Sequence, residues 1–475
     1  MKGVTEKAKP FPVRVEHLNT DVFYGMDFKR IGPGLVISRD STGSPICHFE
    51  DYEWSFPAYK LQLKDKCDFS FSYLKRDTSV DLTSTFFCKK IFLMRMFFPG
   101  SKSGQPIRLP SMHVMGLLLR KLFDFSEQHS VSVQAVFLES SNFETFADTL
   151  PVSLFKEVKL LIRTMNRLSI SDLGFSVSGM VLLSIKKRFA EAFKEADQHP
   201  VIPSRILWTK YVQYNTCLAD FDKHSHQLVE FIQKVSRNPY YARRYKPDGS
   251  SSDPDFSEKS TLDNQDSYTD FLPAIDDFGL QELQKKYKWR HVGNVSSFLS
   301  LVQYCCKSLI HIYTLMRHHE ALELCTDCLE SVRGWNNDAL YVASISTKLT
   351  STAAPNKWIT IDAIVKPIEI LTVINSLLSP FVKNEDNRDR LFISVSVLPF
   401  SNGVDPQDGK LVSGANCESK LSPVLITEDD IFELEAIDPF RNWRADKKFQ
   451  IGKPWRITSH QFADQSLCLP ARVDL

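Results

Sequence analysis

The sequence predicts an α+β fold that is mainly α-helical and carries a small β-sheet. Three observations lead to this prediction. Apolar residues recur three and four positions apart from residue 152 to about 235, and again from about 294 to 324. Two β-prone runs flank a turn between residues 341 and 361. Aromatic residues alternate near residue 70, which is the period of a half-buried strand.

The bulk composition is that of an ordinary globular protein. The 475 residues suffice for about three domains of roughly 150 residues each. A content of 43% hydrophobic and 24% charged residues allows a sizeable core. The net charge of +1 excludes only a protein that is basic over its whole surface. Lys and Arg can still cluster on one face, so a nucleic-acid partner remains open.

The cysteines and the N-terminus favour a reducing cytoplasmic location. The ten cysteines follow no regular framework, and no apolar leader with a small-residue cleavage site precedes them. The most apolar short run, "IFLMRMFF" from Ile91, is too short to span a bilayer and contains Arg95. We therefore expect a cytoplasmic protein without a membrane segment.

Residues 1–150 form a predicted accessory region of mixed structure. In "DFSFSYL" the residues Phe69, Phe71 and Tyr73 lie on one face of a predicted strand. "SVSVQAVF" from Ser130 shows a similar alternation and predicts another strand. Neither pattern indicates a function for this region.

Residues 151–246 predict a helical domain, in which two or more amphipathic helices pack as a small bundle. A polar stretch rich in Ser, Asp and Pro follows, and residues 247–276 predict a linker or mobile loop. At the start of this stretch, tyrosines alternate with Arg243, Arg244 and Lys246. This mixture can grip phosphates and stack on bases, but an exposed helix end would have the same composition.

The last predicted domain, residues 277–475, opens with a basic segment and a long apolar stripe. The spacing predicts a helix from about Asn294 to Thr314 and a second helix from His318 through Leu324. Arg317 falls at the junction between them. A guanidinium buried without a partner costs several kcal/mol. We therefore expect Arg317 to project from the turn and to meet an anion.

Two further polar residues stand out downstream of Arg317. Lys348 lies on or beside the turn of the hairpin predicted by the runs Tyr341 to Thr347 and Trp358 to Ile361. His460 lies in "KPWRITSHQF", after a Trp, an Ile and a Thr/Ser pair. Taken alone, a hairpin lysine is usually a solvated edge residue, and an isolated histidine is usually structural.

The order of these three elements resembles the catalytic domain of the tyrosine recombinase (phage integrase) family. The family's first motif has Thr-Gly, an apolar residue, Arg, two variable residues and Glu; "TLMRHHEALEL" matches it from Thr314 to Glu320. The hairpin lysine of the family maps to Lys348, and the His of its His-x-x-Arg motif maps to His460. Residues 151–246 occupy the place of the family's core-binding domain. The resemblance spans roughly residues 150 to 462.

The resemblance implies a role for each of these residues. Arg317 would clamp a DNA phosphate, because the fork of a guanidinium matches phosphate oxygens with two parallel hydrogen bonds. Lys348 would protonate the leaving 5′-oxygen, His460 would assist proton transfer, and Glu320 would orient its neighbours. The family joins DNA to a tyrosine without a cofactor. The implied partner is double-stranded DNA bound by a homo-oligomer, with no membrane, metal or small-molecule substrate.

The chain departs from the family pattern in three places. Leu315 replaces the glycine, so the turn before Arg317 is expected to be remodelled. Ala463 stands where the second arginine is expected, and no tyrosine follows Tyr341. Losing one such donor costs about 10²–10³ in rate, and losing the nucleophile abolishes covalent chemistry. These departures predict a truncated recombinase without strand-transfer activity.

Three alternatives to this interpretation remain open at the level of sequence. The chain could be a non-enzymatic DNA-binding or oligomerising remnant that modulates an intact recombinase. It could also be a helical interaction protein whose motifs coincide by chance. Finally, Cys325 and Cys328 form a single C-x-x-C pair beside two histidines. Because a zinc site needs four ligands and no second pair is suitably spaced, buried structural thiols are the favoured interpretation of this pair.

Overall fold

The structure is a computed structural model in which 60% of the described residues are helical and 10% lie in strands. The predicted fold class, mainly α-helical with small antiparallel sheets, is confirmed. The chain divides into two compact units, Met1–Asp197 (unit 1) and Gln198–Leu475 (unit 2), each with its own apolar core. The residues described are 20–22, 30–40, 42–60, 65–74, 82–97, 107–166, 168, 170–192, 200–238, 241–242, 269–332, 339–346, 354–383, 385–401 and 417–464.

Unit 1 begins with two short antiparallel strand pairs and continues as helices. Its strands are β1 (Val36–Arg39), β2 (Pro45–His48), β3 (Glu53–Ser55) and β4 (Asp68–Ser70), paired as β1–β2 and β3–β4. Its helices are α1 (Leu82–Phe97), α2 (Leu109–His129), α3 (Val133–Leu138), α4 (Ser140–Asp148), α5 (Phe155–Met165), α6 (Ile170–Leu173) and α7 (Gly179–Ala192).

The two strands predicted in unit 1 have different outcomes. Phe69 is buried between the exposed Asp68 and Ser70, so the alternation around Phe69 does form strand β4. The predicted continuation of this strand to Tyr73 is wrong, because the strand ends at Ser70 and a 3-10 helix follows at Ser72–Leu74. The prediction of a strand from Ser130 is wrong, because the chain forms helix α3 there. The Ser132 hydroxyl accepts a hydrogen bond from the backbone N–H of Ala135 and so caps this helix. Val133, Val136 and Phe137 are buried, and their spacing also fits one helical face.

Helix α1 carries a buried ion pair with helix α5. Arg95, from the apolar run noted in the sequence, donates from Nε to Oε1 of Glu157 at 2.8 Å. The two side chains are 5% and 8% exposed. Helix α1 can therefore be apolar on most of its circumference and still lie inside a globular core, because Arg95 is neutralised by Glu157 and the other buried cation, Lys89, donates to three backbone carbonyls.

Unit 2 is mainly helical and contains one three-stranded sheet. Its helices are α8 (Ser204–Lys223), α9 (Ser225–Arg237), α10 (Phe271–Asp277), α11 (Gln281–Lys286), α12 (Gly293–Thr314), α13 (His318–Leu322), α14 (Val365–Leu378), α15 (Glu428–Ile437) and α16 (Ser459–Asp464). Its strands are β5 (Leu329–Val332), β6 (Ala339–Ser346) and β7 (Ala354–Thr360), in the antiparallel order β5–β6–β7.

Helix α12 lies at the centre of unit 2 and is buried on all sides. It contacts α8, α13, α14 and α16 as well as β7. Burial extends to polar residues: Gln303 donates to the Ile393 carbonyl at 2.9 Å, and Lys307 is only 4% exposed. Burial lowers the pKa of the Lys307 amine to about 8. Among the described residues, Lys307 has no carboxylate or hydrogen-bond partner.

The two units do not follow the predicted domain boundaries. The predicted helical domain 151–246 is divided, because α5 lies in the core of unit 1 while α8 and α9 lie in the core of unit 2. The end of the predicted linker is already structured, since α10 buries Phe271, Ala274 and Ile275. The cores are therefore assembled from helices that sequence spacing alone cannot assign to one bundle or another.

One stretch of the described residues, Asp362–Phe381, is long and apolar enough by composition to cross a membrane. Its mean hydropathy is 1.3, and half of it is buried inside the protein. The part that forms α14 packs against α8, α9 and α12. The core helix of a globular domain has the same length and composition.

Candidate functional site

The candidate site is built around the corner between α12 and α13, residues 314–320. Helix α12 ends when Leu315 enters the left-handed conformation, with φ 55° and ψ 17°. The Thr314 hydroxyl donates back to the Ile310 carbonyl at 2.7 Å and accepts from the Met316 N–H at 3.3 Å. Met316 is fully buried, and Arg317 then starts α13 in an extended conformation, with φ −73° and ψ 157°. The corner predicted from the sequence is therefore confirmed.

Leu315 occupies the position where the resemblance implies glycine, and its conformation is one that glycine adopts without strain. In a residue with a Cβ this conformation costs about 1–2 kcal/mol. We expect the variant Leu315→Gly to be more stable than Leu315→Ala by about 1 kcal/mol, because both lose the leucine side chain and only alanine keeps the strain. Chemical denaturation of the two variants measures this difference. Equal stabilities, or a more stable alanine variant, would contradict the strain at Leu315.

Arg317 is half-exposed and is held by a buried carboxylate. Glu320 is 1% exposed; its Oε2 accepts the Arg317 backbone N–H at 2.7 Å, and its Oε1 lies 3.1 Å from Arg317 Nη1. The Arg317 side chain remains 39% exposed. The anion that Arg317 contacts in this structure is therefore a carboxylate of the protein itself, that of Glu320. Because Nη1 alone bonds to Glu320 within the described part of the chain, Nε and Nη2 can still donate to a second anion.

The sheet of unit 2 is joined to this corner through Ser344. The Ser344 hydroxyl on β6 donates to the Glu320 backbone carbonyl at 2.6 Å, and both residues are buried. Strand β6 pairs with β7 up to Ser346 and Ala354. The predicted hairpin strands are therefore confirmed, with boundaries shifted by up to four residues. Lys348 falls in the connection 347–353, which lies outside the described residues.

The segment that carries His460 packs on the other side of the corner. The Phe462 ring on α16 stacks on His311 of α12, with centroids 6.1 Å apart and an interplanar angle of 11°. A ring nitrogen of His311, Nδ1, lies 2.8 Å from the carbonyl of Met316, directly before Arg317. His460 and Ala463 lie in this helix, Ser459–Asp464. The first and third predicted motifs are therefore neighbours, although more than one hundred residues separate them in the chain.

The remaining predicted site residues are not brought to this corner by any described contact. Arg243, Arg244 and Lys246 lie outside the described residues, which end at Ala242 in this region. Cys325 is half-buried and Cys328 is buried, and burial raises the pKa of the Cys328 thiol to about 12. Among the described residues, no group of three or more His, Cys, Asp or Glu side chains could hold a metal ion.

Sequence reasoning missed the two residues that tie the motifs together, Ser344 and His311. A serine in a strand and a histidine on an apolar helix face are common structural residues, so neither carries a signal on its own. The one signal in the sequence was that Ser344 and His311 each place a single polar side chain within an otherwise apolar pattern. Such a side chain needs an internal partner when it is buried.

A comparison of the chain with protein-family models finds no match. Searches of the curated proteins and of the solved structures find no match either.

Proposed function

We propose that this chain is a DNA-binding protein of the tyrosine recombinase class, in which Arg317 meets a backbone phosphate of double-stranded DNA. The observation that supports this proposal most strongly is the convergence of three separate segments on one corner. Ser344 links the hairpin strand β6 to Glu320, and Phe462 links α16 to His311 beside Met316. These are the three segments that carry the ordered motifs. A chance coincidence of motifs would not require their segments to meet.

The geometry of Arg317 suits a phosphate clamp. Glu320 fixes one end of the guanidinium, which reduces the rotamer entropy lost when the other end binds. The Nε and Nη2 edge of the fork, which makes no hydrogen bond to a described residue, can make two parallel hydrogen bonds to phosphate oxygens. In this proposal Lys348 and His460 approach the same phosphorus from the hairpin and from α16, and Arg243, Arg244 and Lys246 contact flanking phosphates. Copies of the chain would assemble on DNA.

A non-cleaving role is favoured over strand transfer by one position of the sequence. Ala463 lies on α16 three residues after His460, where the family places its second phosphate-binding arginine. With one arginine instead of two, the charge of a pentacoordinate phosphorane is poorly neutralised. Binding of ground-state DNA needs fewer donors. The chain would then occupy recombination sites, or modulate an intact recombinase, without cutting DNA itself.

Duplex binding measured against salt concentration tests the proposal. Each phosphate contact adds about 0.9 to the slope of log K against log salt. We expect Arg317→Ala to weaken binding of a mixed-sequence duplex several-fold and to reduce this slope by about 0.9. Arg317→Lys should keep the slope but lose affinity, because a lysine cannot form the bidentate pair. Fluorescence anisotropy on the full chain from low to physiological salt provides the measurement.

The chain offers a closely matched control for Arg317. Arg388 Nη1 lies 3.1 Å from Glu385 in another three-residue-spaced pair, and its side chain is 43% exposed. Arg388→Ala removes an equivalent cation at a position with no proposed role, so its slope should equal that of the wild type. Equal losses in both variants, or no salt-dependent binding by the wild type, would refute the proposal. A covalent DNA–protein adduct with a nicked substrate would refute the non-cleaving role alone.

A further inference from the structure

The outer edge of strand β4 in unit 1 pairs with no other described strand. The pairs Phe71 to Tyr52 and Phe56 to Cys67 are hydrogen-bonded between the strands, at 2.7 and 2.9 Å. Alternation along an antiparallel pair then turns the N–H and C=O groups of Asp68 and Ser70 away from β3. Within the described part of the chain, no backbone hydrogen bond pairs these outward groups.

This open edge borders a cleft of about 630 Å³. The opposite wall is one face of helix α2, where Gly116, Leu117 and Arg120 line the cleft. His113 closes one end, because its ring stacks on Phe69 and its Nε2 lies 2.9 Å from the carbonyl of Lys66. A strand edge facing a helix across a cleft of this size is the arrangement that accepts an additional strand.

A cationic group at the other end of the cleft is available to a ligand. The Tyr73 hydroxyl is buried and has no hydrogen-bond partner among the described residues, although it lies in the cleft lining. The Arg120 guanidinium lies 5.9 Å from the centre of the Tyr73 ring, and Arg120 is exposed. A ligand can therefore place an acidic group against Arg120.

We propose that this cleft binds an extended peptide segment of a partner protein as an additional strand on β4. Backbone groups of the peptide would pair with Asp68 and Ser70. One bulky apolar side chain would lie between Tyr73 and Leu117, which is 59% exposed, and a neighbouring acidic residue would face Arg120.

The charges of the lining favour a peptide over nucleic acid. Asp65 and Asp68 carry as much negative charge as Lys66 and Arg120 carry positive charge. A polyanionic backbone would meet both acids, whereas a peptide strand is neutral along its backbone. The outward N–H and C=O groups of Asp68 and Ser70 match the backbone of a peptide strand, and nothing in their arrangement favours a small molecule over a peptide. The partner peptide is thus independent of the DNA proposed to bind unit 2.

A phage-displayed library of random seven-residue peptides, selected on the full-length chain, tests this proposal. We expect enriched sequences that share one bulky apolar residue next to an acidic residue. Synthetic copies of these peptides should lose at least tenfold in affinity when the backbone amides that pair with β4 are N-methylated. Failure to enrich any sequence would overturn the proposal, and so would binding that tolerates N-methylation at every position.

Two variants locate the binding to this edge. Ser70→Pro removes an outward N–H without breaking the β3–β4 ladder, and should reduce peptide affinity at least tenfold. Glu53→Pro is the matched control on the far edge of the same strand pair, and it loses the same Ser70–Glu53 side-chain hydrogen bond. Its affinity should equal that of the wild type.

A third variant blocks the cleft without threatening the fold. An added Cβ at Gly116 meets no atom within 4 Å, so a side chain can start there without a clash, and Gly116→Leu also raises helix propensity. We expect it to bind the selected peptides at least tenfold more weakly while its thermal unfolding midpoint stays at or above that of the wild type. Unchanged peptide binding by a folded Gly116→Leu variant would place the ligand elsewhere and overturn the proposal.

Discussion

Replacing Glu157 by glutamine should lower the free energy of unfolding of unit 1 by about 3–5 kcal/mol. The substitution keeps the shape of the side chain and removes its charge. Arg95, which is 5% exposed, is then left as a buried cation without a counter-ion. Burying an uncompensated charge costs more than the pair itself contributes, because the desolvation of the arginine is no longer offset. Chemical denaturation followed by circular dichroism measures the change.

Two further variants show whether charge burial is the cause. Asp148→Asn removes one partner of an exposed pair with Arg188 at 2.7 Å, in which Asp148 is 68% exposed. This change should cost at most about 1 kcal/mol. The double variant Arg95→Met with Glu157→Met should recover most of the stability, because two apolar side chains of similar length carry no desolvation penalty. A double variant as unstable as Glu157→Gln would show that the pair is held by something other than charge compensation.

Replacing Lys307 by methionine should stabilise unit 2 at pH 7 by about 2–3 kcal/mol. Burial lowers the pKa of this amine from 10.5 to about 8, so the folded protein pays to keep it charged at neutral pH. Methionine keeps the apolar stem and removes the charge. The sign of the pH dependence follows from proton binding. Between pH 8 and 10.5 the unfolded chain binds the proton more than the folded chain, so wild-type stability rises with pH across this window.

The advantage of Lys307→Met should therefore be full below about pH 8 and shrink as the pH approaches 10.5. Urea denaturation of both proteins at pH 7, 8.5 and 10 follows this convergence. Lys210 is the matched control, since it is also buried, at 1% exposure, but lies 3.4 Å from Glu418. Lys210→Met should give no gain in stability. A pH-independent gain for Lys307→Met would indicate better packing rather than the removal of a buried charge.

The corner at Arg317 was predictable because strong local signals agree there. A long apolar stripe from Asn294 to Thr314 has one helical period, and α12 runs from Gly293 to Thr314. The second predicted helix began at His318, as α13 does. Arg317 therefore lies between the two helices, as the apolar periodicity of the sequence predicts. A helix of six turns that is buried on all sides leaves little freedom in register or length.

Short segments were predictable only where one face stays exposed. Phe69 between two exposed residues is a genuine strand, but Val133 and Val136 satisfy a helical period as well as a β-propensity. The capping hydrogen bond to Ser132 decides in favour of the helix over the strand. This bond can form only when the backbone has already adopted the first helical turn. Strand β5, at Leu329–Val332, carries no alternation of its own and is specified by pairing with β6. Tertiary pairing overrides local preference in such segments.

Only part of the candidate site could be predicted from the sequence, for the same reason. Arg317 and Glu320 are close in the chain, so their contact follows from helical geometry. The links through Ser344 and Phe462 join residues far apart in the sequence. No periodicity encodes which distant strand or helix will cover a corner. Only the packed unit reveals that these segments are neighbours.

The contacts of helix α8 have a consequence for how the chain folds during synthesis. Arg205, at the start of this helix, donates to the Asp430 carboxylate 225 positions later, and Gln461 donates to the Pro200 carbonyl across 261 positions. Unit 1 has all its core residues available once the ribosome has passed residue 185. The contacts at and just before the start of helix α8 must instead wait until the segments near Asp430 and Gln461 emerge from the exit tunnel, although α8 can already pack on α12 and α14. Contacts over such long separations form late and leave surface exposed in the meantime, so we expect unit 2 to complete its fold after unit 1.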